Sequence, residues 1–141
     1  MAEFLKAAKE VDMFVMFRIG PYMNAERDLG GFPAWLLRDP HMNLRSTYKP
    51  YITAVGKYYE KILEIINKYQ FTKGGPIIAM QFENEFMGIY NAEQREYMTF
   101  LKDTITKSGF NELLFINNYN PLDVLNKKGT YPGKCKIFTV N

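Results

Sequence analysis

The stretch from Gly74 to Phe86, Gly-Gly-Pro-Ile-Ile-Ala-Met-Gln-Phe-Glu-Asn-Glu-Phe, constrains the fold more than any other. Gly74, Gly75 and Pro76 punctuate the backbone, and Ile77 to Met80 form the short apolar run of a parallel strand covered on both faces. Gln81, Glu83, Asn84 and Glu85 then arrive within five positions. A core strand tolerates carboxylates only where it reaches a solvent-filled mouth, because burying an unpaired charge is strongly disfavoured. The carboxyl ends of the strands of a (β/α)8 barrel form such a mouth.

The rest of the chain alternates helix and strand around this segment. Ala2 to Glu10 carries Phe4, Leu5 and Ala8 at helical spacing, and Phe14 to Ile19 is a short apolar run interrupted by Arg18 and ended by Gly20-Pro21. The polar, glycine-closed stretch from Tyr22 to Gly31 reads as a βα loop of the kind that carries function. Pro33 to Leu37 predicts a short helix stopped by Asp39-Pro40. From Thr47 to Tyr69, Ile52, Val55, Tyr59, Ile62, Ile65, Ile66 and Tyr69 make one apolar stripe, while Lys57, Glu60, Lys61, Glu64 and Lys68 fall on solvated faces. Asn91, with Gln94 three residues on, predicts the start of a helix that runs to Gly109. Leu113 to Ile116 is then a strand ending in Asn117, Asn118 and Tyr119 before Pro121, and Lys136 to Asn141 begins another. Strands separated by helices imply a parallel sheet with right-handed crossovers. The alternation by itself leaves a barrel and a doubly wound sheet both open.

A complete barrel needs roughly 250 residues, so 141 residues are expected to supply only part of one. With 47% hydrophobic and 16% aromatic residues the composition is globular, and no apolar run approaches the ~20 residues of a membrane span. The net charge of +3 is mild and the basic residues are interspersed with acids, which argues against a nucleic-acid partner. Cys135 is the only cysteine and cannot form an internal disulfide. His41, the only histidine, has no companion Cys or His, so metal ligation is not expected. The glycine pairs Gly30-Gly31 and Gly74-Gly75 lack phosphate-loop spacing and read as turns. Met1 leads straight into a polar, charged segment without an apolar signal region, and no Asn-x-Ser/Thr acceptor occurs, so the compartment is not assigned.

The thirteen residues of Gly74–Phe86 resemble the signature of glycoside hydrolase family 35, the β-galactosidases, in order and spacing. A second block resembles the preceding strand and loop of that family: Arg18 to Glu26 (Arg-Ile-Gly-Pro-Tyr-Met-Asn-Ala-Glu), continued through Gly30 to Leu37. The resemblance covers nearly the whole chain and implies a partial (β/α)8 TIM barrel, roughly the third to the start of the sixth strand. The family's amino terminus would lie upstream of Met1, and its members are often lysosomal or secreted.

The resemblance also implies roles. Glu85 matches the family's acid/base, which protonates the glycosidic oxygen and later deprotonates the water that resolves the glycosyl-enzyme. Asn84 matches its sugar-binding asparagine, whose amide bonds the 2-hydroxyl. Taken alone, an Asn-Glu pair at a strand end serves as well to cap a helix or satisfy loop amides. Glu83, two residues from Glu85, faces the same way on a regular strand, but the two are ~6.6 Å apart along the backbone and the family draws its nucleophile from another strand. Glu83 and Gln81 are therefore read as supporting residues that hydrogen-bond inside the barrel. Asn24, Ala25 and Glu26 match the galactose-contacting loop, Glu26 alternatively pairing with Arg27 at the surface. Arg27 stands where many members carry an aromatic residue, which bears on the wall of the sugar site. Trp35 is read as packing under the loop rather than stacking on sugar.

Glu93, Glu96 and Glu112 sit in helical or connecting contexts that do not match the nucleophile, which is expected from a later strand outside this sequence. Three readings result. The first is part of a retaining exo-β-galactosidase acting on terminal β-galactosyl residues of glycans or glycolipids, with no metal or organic cofactor. The second is a truncated, non-catalytic relative, at most a weak sugar binder. The third, without the resemblance, is an unrelated α/β ligand-binding domain.

Overall fold

A computed structural model describes residues 1–86 and 91–117. Helices and strands alternate through it as α1 (Ala2–Glu10), β1 (Val15–Gly20), α2 (Lys49–Ile66), β2 (Ile77–Phe82), α3 (Ala92–Lys107) and β3 (Leu113–Phe115). The strands form one parallel sheet in the order β1-β2-β3. The expected polar end at Asn118 and Tyr119, Cys135, and the strand over Lys136 to Asn141 lie outside the described residues.

The local reasons are legible in each element. Pro50 occupies the first turn of α2, where its missing N–H has no intrahelical partner to lose. The predicted helix end at Tyr69 proves to be a tighter 3₁₀ turn, Asn67–Tyr69. Tyr51, Val55, Tyr59, Ile62, Leu63 and Ile66 form the buried stripe of α2, while Ile65, at the edge of that stripe, is 40% exposed. Asn91 caps α3 as its spacing implied: its Oδ1 accepts the Gln94 N–H at 2.8 Å. The helix is over by Lys107, and Gly109 takes a left-handed φ of 89° just beyond it. The short helix expected over Pro33–Leu37 is a 3₁₀ turn, Ala34–Arg38, ending at Asp39. β2 runs two residues past its apolar stretch, because Gln81 and Phe82 still pair with Arg18 and Gly20 of β1.

The two faces of the sheet differ. Ile19, Met80, Phe82, Leu114 and Ile116 join the buried residues of α2 and α3 in one core, and each fully buried aliphatic side chain there stabilises by roughly 1.5–3 kcal/mol. Helices α2 and α3 touch, the hydroxyls of Tyr51 and Tyr97 lying 3.0 Å apart, so both crossovers lie on this one face. The paired residues Met16, Ala79 and Leu113 mark the opposite face. There Met16 is 66% and Leu113 38% exposed among the described residues.

Two tyrosines of α2 fix the carboxyl end of β1. The Tyr58 hydroxyl donates to the Ile19 carbonyl at 2.9 Å, and that of Tyr59 to the Gly20 carbonyl at 2.7 Å. At the other end of the sheet, Gln70 is fully buried and donates to the Asn67 and Gly109 carbonyls while accepting from the Asn111 N–H. Its own carbonyl accepts from Lys73 and Gly75, which turns the chain into β2. A Cβ on Gly75 would lie 2.1 Å from the Tyr69 carbonyl oxygen, whereas one on Gly74, at φ 79°, would meet nothing within 4 Å. Gly75→Ala should therefore destabilise by about 3 kcal/mol or more through backbone overlap, and Gly74→Ala by only ~1 kcal/mol of left-handed strain. Denaturant midpoints of the two variants test this, and the reverse order would refute the packing at this turn.

Candidate active site

Strand β2 leaves the sheet at Phe82, and the chain immediately abandons extended geometry. Glu83 and Glu85 take left-handed conformations, with φ of 60° and 47°. Regular alternation would put both carboxylates on one face; the two left-handed residues break it. Glu83 is 1% and Asn84 4% exposed, while the Glu85 side chain stands in solvent.

Buried Glu83 accepts three hydrogen bonds from the described residues. Its Oε2 accepts from Arg45 Nη2 at 2.8 Å and from the Asn84 N–H at 2.9 Å, and its Oε1 accepts from the Tyr97 hydroxyl at 2.6 Å. With its single hydrogen on the carboxylate, Tyr97 accepts in turn from Tyr51 at 3.0 Å. The backbone of Glu83 is held as well, its N–H donating to the Gly20 carbonyl at 2.8 Å. Burial, and next the negative charge of Glu83, hold the Tyr97 phenol far above its ordinary range. Burial also pushes Tyr51 and Tyr59 up.

Arg45 is shared. The same Nη2 donates to the Asn84 carbonyl at 2.6 Å, and the guanidinium carbon lies 4.1 Å from the Tyr22 ring centre and 5.1 Å from that of Phe86. A charge-assisted pair this deep is costly to halve: removing Arg45 leaves Glu83 buried and unpaired, at about 3–5 kcal/mol.

Asn117, just past β3, holds the Asn84–Glu85 pair from the other side. The Glu85 N–H reaches both the carbonyl and the Oδ1 of Asn117 at 3.1 Å, and Asn117 Nδ2 donates to Asn84 Oδ1 at 3.1 Å. The Asn84 amide is thereby left with Nδ2 as a donor that has no acceptor among the described residues. Gln81 completes this network. It donates to Asn117 Oδ1 at 2.7 Å and accepts from Arg18 Nε at 3.2 Å, and Arg18 Nη1 donates to the Met23 carbonyl at 3.1 Å. Beside Glu85 a cleft of about 370 Å³ opens, bordered by Asn43, Arg45, Asn91, Glu93 and Gln94.

The other group of sequence-predicted residues lies on the loop after β1. Asn24, Ala25 and Glu26 form one left-handed turn, with φ of 54°, 52° and 49°, closed by the Arg27 N–H on the Asn24 carbonyl at 3.1 Å. Left-handed backbone costs roughly 1–2 kcal/mol per residue, so this turn persists only because its ends are fastened. Asn24 is half-buried and accepts the Tyr22 hydroxyl at 3.4 Å; Ala25 and Glu26 are exposed. Among the described residues Glu26 makes no ion pair with Arg27. Trp35, expected to pack under the loop, is instead 54% exposed at the rim of an apolar pocket with Met23, Phe32 and Tyr58. His41 is exposed, and no cluster of metal-ligating side chains occurs among the described residues.

The two groups are brought together through cations, Arg45 by way of Tyr22 and Arg18 by way of Met23. Arg45 escaped the sequence reading because it lies 38 residues from Glu83 and belongs to neither motif. The one available signal was indirect, since an acid at a strand end that turns inward requires a cation. Tyr97 looked apolar in a helical stripe, where a buried phenol also signals a partner for its hydroxyl.

A model of the family described as Glycosyl hydrolases family 35 matches residues 1–141. The human protein named Beta-galactosidase-1-like protein 2 is 43% identical over 115 residues, 82% of this chain and 18% of its own length. Rat Beta-galactosidase-1-like protein 3 is 42% identical over 140 residues, 98% of this chain and 21% of its own. The Beta-galactosidase of Aspergillus niger is 38% identical over 138 residues, 96% and 14% respectively. The chain thus spans about a fifth or less of the length of these relatives.

Two measurements check the buried network. Tyr97→Phe should cost about 1.5–3 kcal/mol in denaturant unfolding and Tyr51→Phe about 0.5–1.5 kcal/mol, because only the first removes a bond to a charged acceptor. Equal losses would remove Glu83 from the network's centre. In alkali, the unfolded chain ionises its phenols near pH 10 while the folded one keeps Tyr51, Tyr59 and Tyr97 neutral. Stability should therefore be full below about pH 10 and fall as pH rises above it. Tyrosinate absorbance should show these three phenols ionising only as the fold is lost; their titration with the exposed tyrosines would contradict the assigned burial.

Proposed function

The chain belongs to glycosyl hydrolases family 35, and on that premise we propose that it supplies the acid/base half of a retaining exo-β-galactosidase. Its substrates in this reading are terminal β-galactosyl residues of glycans or glycolipids, processed without a metal or organic cofactor. The sheet is taken as a sector of the family's TIM barrel, roughly the third to the start of the sixth strand. Placement of both crossover helices on one face, with apolar Met16 and Leu113 open on the other, supports a barrel wall over a doubly wound sheet. Family membership sets aside the reading as an unrelated ligand-binding domain.

The observation that carries the catalytic reading is the division of labour between two acids two residues apart. Glu83 is buried and held by an arginine, a phenol and a backbone N–H, so it reads as an anchor turned away from solvent. Glu85 is exposed, with its backbone fixed by Asn117 and its carboxyl unbonded among the described residues, in a position to meet a glycosidic oxygen. In the first step a carboxylate from another strand attacks the anomeric carbon, the bond to the leaving oxygen breaks, and Glu85 gives that oxygen its proton. In the second, Glu85 takes a proton from water as the water displaces the glycosyl group and frees the nucleophile. The Nδ2 of Asn84, which has no acceptor among the described residues and is oriented by Asn117, is suited to the 2-hydroxyl, where a hydrogen bond strengthens as positive charge grows on the sugar. The exposed turn at Asn24, Ala25 and Glu26 offers acceptors for the sugar's other hydroxyls.

Glu85→Gln in the protein as its gene encodes it should lower turnover of an alkyl or glycosyl β-galactoside by about 10²–10⁴, the usual worth of a general acid. An aryl galactoside with a good leaving group should lose far less in the bond-breaking step, since it needs little protonation. Equal losses in that step for both substrates would exclude the acid role.

A further inference from the structure

We propose that Arg45 is a positioning residue that couples the Asn24–Glu26 turn to the Asn84–Glu85 pair. The sugar-contacting loop and the acid would then be held in one mutual geometry by a single cation. This rests on the reading of those two groups given above and goes beyond it, since it gives Arg45, which borders the cleft beside Glu85, the task of holding the two groups in place.

The contacts are divided between the two loops. Toward the acid, Nη2 holds both the Glu83 carboxylate and the Asn84 carbonyl, the acceptor of the peptide that leads into Glu85. Toward the sugar loop, the guanidinium lies on the Tyr22 ring at 4.1 Å. That ring is itself clamped, because it packs against Gly30 so closely that a Cβ there would fall 1.8 Å from its Cε2. The Met23 N–H bonds the Gly30 carbonyl at 3.0 Å, and the Tyr22 hydroxyl reaches Asn24. Tyr22 therefore closes the neck of the loop whose tip is the left-handed turn, and Arg45 presses on that closure. Arg45 is also left-handed, at φ 56°, as are Glu83 and Glu85. Strained backbone on both sides of one ion pair is kept only where the contacts between them outweigh it, which is the condition for preorganised geometry.

Arginine is required for this, and charge alone is insufficient. A lysine ammonium can retain the pair with Glu83 but cannot lie flat on Tyr22. Arg45→Lys and Arg45→Met, made in the protein as its gene encodes it, separate the two halves. Hydrogen exchange by mass spectrometry should show residues 22–31 exchanging about three- to tenfold faster in Arg45→Lys, with residues 83–86 unchanged and the aryl β-galactoside KM raised by a similar factor at nearly constant kcat. In Arg45→Met both segments should accelerate while β1 and β2 stay protected. Wild-type exchange over residues 22–31 in Arg45→Lys, or an unchanged KM, would overturn the coupling. Acceleration spread evenly over the strands in Arg45→Met would reduce Arg45 to a folding residue. Glu85→Gln run in parallel keeps the readings apart: undiminished turnover of poor leaving groups would sink the acid role, and the exchange pattern would still decide the coupling.

Discussion

Burial of the Glu83 carboxylate against the Arg45 guanidinium is the contact around which the carboxyl end of this sheet is arranged. A carboxylate in a protein interior is tolerable only when its charge is matched and its oxygens are hydrogen-bonded, so one buried acid dictates several other positions. It draws in a cation from the segment before α2, a phenol from α3, and through that phenol a second from α2. Elements that meet nowhere in sequence are thereby obliged to meet in space. The apolar core supplies most of the free energy, but it is non-directional and would accept small rotations of α3 against β2. The ion pair and its two tyrosines do not.

The same anchor explains why the neighbouring acid is different. Left-handed backbone at Glu83 and again at Glu85 turns the first carboxylate inward and leaves the second in solvent. Asn117 then fixes the backbone of the exposed acid without engaging its carboxyl. Rigid support beneath a free functional group is what a proton-transferring residue needs, because misplacement by a single ångström is expensive in rate. The loop after β1 follows the same plan, with a strained turn at its tip and its neck closed by Tyr22, Gly30 and Arg45.

Much of this was readable from residue order, and the reasons are specific. The period of α2, the Asn91 cap and the apolar run of β2 are local signals, each arising from groups a few residues apart, and the elements stand within a few residues of where those signals put them. That Glu83 is a hydrogen-bonding residue was also anticipated, because the family resemblance draws the nucleophile from another strand. Its orientation was not: alternation along a strand predicts a shared face, and two positive φ values overrule it. Trp35 shows a similar limit, since an aromatic beside a loop carries no mark of which side it will present.

What the sequence determined by itself was the alternation of helix and strand, the parallel sheet and the family, which depend on short motifs and on the order of elements along the chain. Tertiary structure alone decided that Arg45 is the counter-ion of Glu83, that Tyr51 and Tyr97 complete the shell, and that Asn117 supports Asn84 and Glu85 from just past the next strand. Those partners are separated by 14 to 46 positions. Their choice is made by charge neutralisation in a buried site, a condition that does not exist until the sheet and its helices have closed around it.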